Sequence, residues 1–175
     1  MRTLFVTLCI CAVAGCATSH RYSVNRPIQK NFGAFRIVEV LPFSTNVDSE
    51  AANRAASELP QALIGRLREA TREGSNDKLF SAVGESAQER EGVLTIGGTI
   101  LSYEEGSRAK RYLIGLGAGK AYATVECIFT DKATGREITV ATFDGELSGG
   151  FFGGAADQAT KGVIRAIEDF IKDNY

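Results

Sequence analysis

The order of apolar patterns along the chain predicts an α+β fold: a two-layer domain with a four- to five-stranded antiparallel or mixed sheet and two helices on one face. Stretches rich in alternating or β-branched apolar residues follow one another closely in the second half of the chain, as hairpin-connected strands do. Two other segments, one before them and one after, repeat their apolar residues every three or four positions instead. Length and composition bound the rest. A chain of 175 residues with 44% hydrophobic and 23% charged side chains matches one globular domain, not a disordered or low-complexity polymer.

The first strand is predicted over 35–41, where Phe35-Arg36-Ile37-Val38-Glu39-Val40-Leu41 is stopped by Pro42. Asp48 or Ser49 then offers a cap for a helix whose apolar positions are Ala52, Ala55, Ala56, Leu59, Leu63, Leu67 and Ala70. Pro60 falls inside that pattern. An interior proline costs about 3 kcal/mol, so the helix is expected to kink there or to restart with Pro60 in its first turn. A short strand is expected over 78–83 and a stronger one over 92–103, carrying Val93, Leu94, Thr95, Ile96, Ile100 and Leu101.

Two further strands, 120–130 and 137–147, flank Asp131-Lys132-Ala133-Thr134-Gly135-Arg136. Gly135 can take the positive φ that such a loop usually needs, so this pair is antiparallel. Alternation of Ala123, Val125, Cys127 and Phe129 puts Cys127 on the apolar side, as a buried and inert thiol. A closing helix over 155–172 carries the stripe Ala156, Ala159, Val163, Ile164, Ile167, Phe170 and Ile171. The resulting order β-α-β-β-β-β-α places both helices on one side of the sheet.

The amino terminus carries an address. Arg2, an apolar run over 4–14 and small residues before Cys16 are the three regions of a secretory signal. That run of about eleven residues is far short of the roughly 20 that a membrane-spanning helix needs. Its ending, Val13-Ala14-Gly15-Cys16, resembles the bacterial lipobox. The resemblance implies that residues 1–15 are removed, that the Cys16 thiol receives a diacylglycerol, and that the new amine is acylated. Two or three acyl chains hold a membrane stably where one does so only marginally. Ala17 stands where the sorting pattern of enteric bacterial lipoproteins places Asp for inner-membrane retention, which implies the periplasmic face of the outer membrane. A plain secreted signal, with Cys16 incidental, is the alternative.

Residues 16–34 then read as the lipidated start and a polar tether, with His20, Arg21, Arg26 and Lys30 and no acid, and residues 35–175 as a single periplasmic domain. Sixteen such residues reach at most about 50 Å when extended. Cys9 and Cys11 leave with the signal and Cys16 is alkylated, so Cys127 remains alone and no intramolecular disulfide is expected.

Composition and spacing exclude several chemistries. With 20 Lys and Arg against 21 Asp and Glu there is no global basic footprint for nucleic acid. Gly119-Lys120 fails as a phosphate loop, because Ile114 stands where the first glycine is needed and Ala121 replaces the hydroxyl that would hold magnesium. A dinucleotide fingerprint fails at Lys120. His20 is the only imidazole and lies four residues from Cys16, so no conventional triad or His/Cys zinc site is expected. Glu104 with Glu105, and Asp144 with Glu146, are carboxylate pairs to weigh for glycan hydrolysis. The former alternate faces if extended, and the latter share one strand face as solvated charge. The expectation is a non-enzyme with no cofactor besides the covalent lipid on Cys16, and no nucleotide ligand.

Two segments stand out as partner-binding candidates. In 106–120, Arg108, Lys110 and Arg111 adjoin Tyr112, while Gly115, Gly117 and Gly119, continued by Ala121 and Ala123, leave one face of an extended chain almost bare, so another backbone or helix can approach. That occupant is either the domain's own helix or a partner. In 149–154, Phe151 and Phe152 lie between glycine pairs, as a core plug or as an aromatic anchor for a partner or membrane.

The lipobox, the strand Val38-Glu39-Val40-Leu41-Pro42-Phe43, the stretch Gly115-Leu116-Gly117-Ala118-Gly119-Lys120-Ala121 and the turn Asp131-Lys132-Ala133-Thr134-Gly135 together resemble bacterial lipoproteins carrying domain of unknown function 4410. More distantly the arrangement is similar to periplasmic assembly lipoproteins, such as the curli secretion component and the penicillin-binding-protein activators. No catalytic residue comes with that resemblance. It implies an outer-membrane lipoprotein whose domain binds an envelope protein as an accessory or assembly factor. The alternatives are an envelope enzyme acting on glycan or lipid, and a curli-type secretion pore subunit.

Overall fold

The structure, a computed structural model, describes residues 21–71, 79–104, 121–146 and 155–175. Their elements are β1 (Arg21–Arg26), β2 (Ile37–Val40), β3 (Ser44–Thr45), α1 (Glu50–Thr71), β4 (Ala82–Gly84), β5 (Val93–Glu104), β6 (Tyr122–Asp131), β7 (Arg136–Glu146) and α2 (Ala155–Asp173), with one turn of 3-10 helix at Phe32–Ala34. The fold is α+β. All seven strands join one open mixed sheet in the order β1-β7-β6-β5-β2-β4, with β3 beside β5.

Connection length decides the pairing directions. The four-residue link between β6 and β7 requires antiparallel pairing, and β5 pairs antiparallel with β6 as well, whereas β2 returns to β4 and β5 through α1 and pairs parallel with both. The expected count of four to five strands is therefore corrected to seven. The two extra strands are β3, only two residues long, and β1, whose Arg-Tyr-Ser-Val-Asn-Arg holds too few apolar residues to announce itself.

The tether expected over 16–34 is corrected with it. From Arg21 onward the chain is a strand paired to β7, running from Arg21 opposite Asp144 to Arg26 opposite Val140. The following turn buries Phe32 and Phe35 completely, so this part of the chain belongs to the domain.

Ser49 rather than Asp48 caps α1, its Oγ accepting the Ala52 N–H at 3.1 Å. The helix runs through Pro60 without restarting, and Pro60 lies buried on its apolar face with Leu59 and Leu63. Both helices pack on the face that carries Leu94, Ile96 and Ile100 of β5, Val125, Cys127 and Phe129 of β6, and Phe143 of β7. Each such side chain contributes about 1.5–3 kcal/mol on burial. Cys127 is fully buried as expected, and burial raises its thiol pKa. Gly135 takes φ 69° in the β6–β7 turn.

Ion pairs fasten elements together. Arg66 of α1 meets buried Glu168 of α2 at 2.5 Å, and Lys172 meets the same carboxylate at 3.1 Å. Lys132 reaches buried Glu39 of β2 at 2.8 Å. Lys30 bonds Asp131 at 3.1 Å, joining the segment after β1 to the β6–β7 turn.

Gly98 of β5 marks a close approach. A Cβ there would lie 2.5 Å from the Phe43 ring, whereas one on Gly97 would meet only Leu41 at 3.8 Å. Gly98→Ala is expected to destabilise the fold by about 1–3 kcal/mol by displacing that ring, with Gly97→Ala near neutral; thermal melting of the two variants checks this.

Asp131 supplies a pH-dependent contribution. Burial pushes its carboxyl pKa up, but the Lys30 hydrogen bond and the Ala133 N–H outweigh burial and leave it below the ordinary range. A group depressed on folding stabilises above its unfolded pKa, about 3.9, and that stability is lost as pH falls through the folded value. Asp131→Asn should therefore lower the melting temperature at about pH 7 and change it little at about pH 2.

Candidate functional site

Antiparallel pairing collects three connections at one end of the sheet. Glu104, the last residue of β5, stands opposite Tyr122, the first of β6. Tyr122 also pairs with Glu146, the last of β7, and two residues back along β7 Asp144 pairs with Arg21, the first of β1. Segments 105–120 and 147–154 and the chain before Arg21 thus all leave the sheet at this end. The opposite end is closed by the tight turn between Asp131 and Arg136, where Arg26 meets Glu137 at 2.6 Å beside the Lys30–Asp131 pair.

The candidates drawn from sequence follow this geometry. Arg108, Lys110, Arg111, Tyr112, Gly115, Gly117 and Gly119 belong to 105–120, and Phe151 and Phe152 to 147–154; these residues, and Cys16, lie outside the described residues. What the topology brings together is the three segments that carry them. The bare face proposed for 115–123 can be followed at its last two positions. Ala121 and Ala123 are 0% and 1% exposed within the core cluster, so there the face is filled by the protein's own side chains.

Exposed large apolar side chains are spread over the described residues, with Val24, Leu41, Ile128 and Tyr175 away from this end and two toward it. Leu101 is 41% exposed, at the break in the β5–β6 register between Ile100 and Ser102, and Tyr122 is 42% exposed.

The sheet face away from the helices is polar, and sequence reasoning missed its organisation. Asn25 Nδ2 donates to Glu126 Oε2 and to Thr142 Oγ1, each at 2.9 Å, which links β1, β6 and β7. Thr124 Oγ1 donates to Asp144 Oδ1 at 2.7 Å. The alternation of Thr124 with Glu126, and of Thr142 with Asp144, was the available signal, but Asn25 could not be placed without β1. Among the described residues no three His, Cys, Asp or Glu side chains stand where they could hold a metal ion. No helix among them is long and apolar enough to cross a membrane.

Comparison with known proteins agrees with this architecture. No curated protein matches the chain by sequence. Among solved structures, the PelC dodecamer from Paraburkholderia phytofirmans is similar in two crystal forms, with TM-scores of 0.57 and 0.56. Each is 12% identical and covers 87% of this chain and 98% of the other, a likeness of fold alone. A Xanthomonas campestris protein of the DUF330 family model follows at a TM-score of 0.48 and 11% identity, over 79% of this chain and 80% of the other. The family model named Domain of unknown function (DUF4410) matches residues 41–154, which span β3 to β7 and both candidate segments. By that match, over well more than half of its length, the chain belongs to the DUF4410 family.

Proposed function

We propose that this protein is an outer-membrane lipoprotein whose α+β domain works in the periplasm by binding, as an accessory or assembly factor of the cell envelope, without catalysis. The observation that carries the reading is the spacing between the lipobox cysteine and β1. Only residues 17–20 separate Cys16 from Arg21, and five Cα–Cα steps span about 18 Å at most. An anchor on Cys16 would hold the folded domain against the membrane rather than at the end of a long tether. The enzymatic alternative needs clustered, available ionisable groups, and the carboxylates of the open face, Glu126 and Asp144, are held by Asn25 and Thr124.

A second reading, a subunit of a ring-shaped assembly such as a secretion pore, draws support from the shared fold with the PelC dodecamer. An open sheet with two unlike edges, β1 and β4, suits the head-to-tail contacts from which rings are built.

Intact-mass measurement of the protein purified from outer membrane should give a chain beginning at Cys16 plus lipid, and Cys16→Ala should abolish that processing. An unmodified wild-type chain would contradict the anchor. Native mass of the same preparation in detergent discriminates the second reading, which a single-copy mass would reject.

A further inference from the structure

We propose that β1 is a releasable strap: it peels from β7 while the rest of the domain stays folded, and so lengthens the reach of the anchored domain into the periplasm. This rests on the lipid anchor proposed above and adds a second, extended state of the same molecule.

The hold on this part of the chain changes abruptly at Pro27. Before it, Tyr22 is half-buried, whereas Ser23, Val24, Asn25 and Arg26 are exposed. Among the described strands β7 is the one neighbour of β1, and the register between them slips between Val24 and Arg26, which interrupts an already short ladder. Arg26 and Glu137 pair with side chains 66% and 31% exposed, and an ion pair so open to water contributes little. After Pro27 the attachments are of another kind. The Gln29 N–H donates to the Ile138 carbonyl at 2.9 Å, Lys30 bonds Asp131, and the buried Phe32 ring stacks on Phe129 with centroids 5.2 Å apart.

Opening follows the weaker half, because local unfolding takes the unit that buries least apolar surface. Peeling β1 withdraws one ring, Tyr22, from Phe143 and Phe170, and breaks the bonds of Tyr22 to Asp173 and of Asn25 to Glu126 and Thr142. Those bonds lie at the surface, where water replaces them. Peeling further would pull Phe32 from Phe129 and Phe170 and open the core itself. Unwinding therefore stops at Gln29.

The leash between anchor and domain changes accordingly. With β1 in the sheet, Cys16 lies within about 18 Å of Arg21. With β1 released, the first fixed residue is Gln29, and the thirteen Cα–Cα steps from Cys16 span about 47 Å at most. One anchored molecule thus meets partners at two heights above the bilayer.

Two measurements on the lipid-bearing protein test this. In detergent micelles, amides protected by the β1–β7 pairing should exchange about tenfold or more faster than those between β5 and β6, through an opening nearly insensitive to low urea, since little surface is exposed. Exchange of β1 on the same urea-dependent course as β5 and β6 would overturn the proposal. For reach, the protein is reconstituted into phosphatidylethanolamine and phosphatidylglycerol vesicles with acceptor-labelled headgroups, and a donor is placed through Thr134→Cys; burial keeps Cys127 out of the labelling. Tyr22→Ala and, separately, Asn25→Ala should each lower energy transfer, about twofold for Tyr22→Ala, while protection between β5 and β6 is kept. Faster β1 exchange in both variants with unchanged transfer would overturn the change of reach while leaving the anchor intact. Loss of co-flotation by the wild-type protein would overturn the anchor, and the change of reach with it.

Discussion

Phe170, one turn from the end of α2, has its ring centroid 5.1 Å from Tyr22, 5.7 Å from Phe32, and 5.4 Å from both Phe129 and Phe143. Those four rings come from β1, the 3-10 turn, β6 and β7, so one side chain on the closing helix fastens four separate stretches of chain. Phe170 is fully buried, and aromatic pairs at such separations and tilts add about 0.5–1.5 kcal/mol each beyond the area they remove from water. Tyr22 is held a second time by its hydroxyl, which donates to Asp173 at 2.9 Å and is thereby made harder to deprotonate.

That cluster is why β1 is a strand at all. Its sequence has low strand propensity, with Ser23 and Asn25 exposed and Val24 46% exposed. Among the described strands β1 has β7 alone beside it, so Tyr22 lying against Phe170 and Phe143, and Asn25 bonded to Glu126 and Thr142, supply what the local pattern lacks. Once β1 is fixed, only residues 17–20 separate Cys16, the proposed anchor, from the sheet. The proposed function depends on this step from aromatic packing to a short spacing between Cys16 and the sheet.

Where tertiary contacts merely reinforced local pattern, the fold was legible in the sequence. The β6–β7 hairpin, with its glycine at positive φ, and the two helices with their Leu59-Leu63-Leu67 and Val163-Ile167-Phe170 stripes belong to this class. Elements that exist only through distant partners were not legible. β1 depends on a helix about 150 residues later in the chain, and β3 is two residues held by β5. Glu39 is a charge within an apolar strand pattern whose partner the sequence did not show: β2 lies inside the sheet, and Lys132 pairs with that buried carboxylate. Among the candidate site residues, Cys16 rests on a processing motif that is read in sequence rather than in shape, and it lies outside the described residues. The convergence of 105–120 and 147–154 with the start of β1 required the strand register.

Amide hydrogen exchange across β1 tests the account most directly, because it asks whether this strand is part of the sheet. In an edge strand only the amides that face its neighbour are protected, so alternate residues within Arg21–Arg26 should exchange orders of magnitude more slowly than an unstructured chain and lose that protection in Phe170→Ala. Exchange of all six residues at the rate of a free linker in the wild-type protein would contradict the account: the domain would then begin after β1, and the leash would be long.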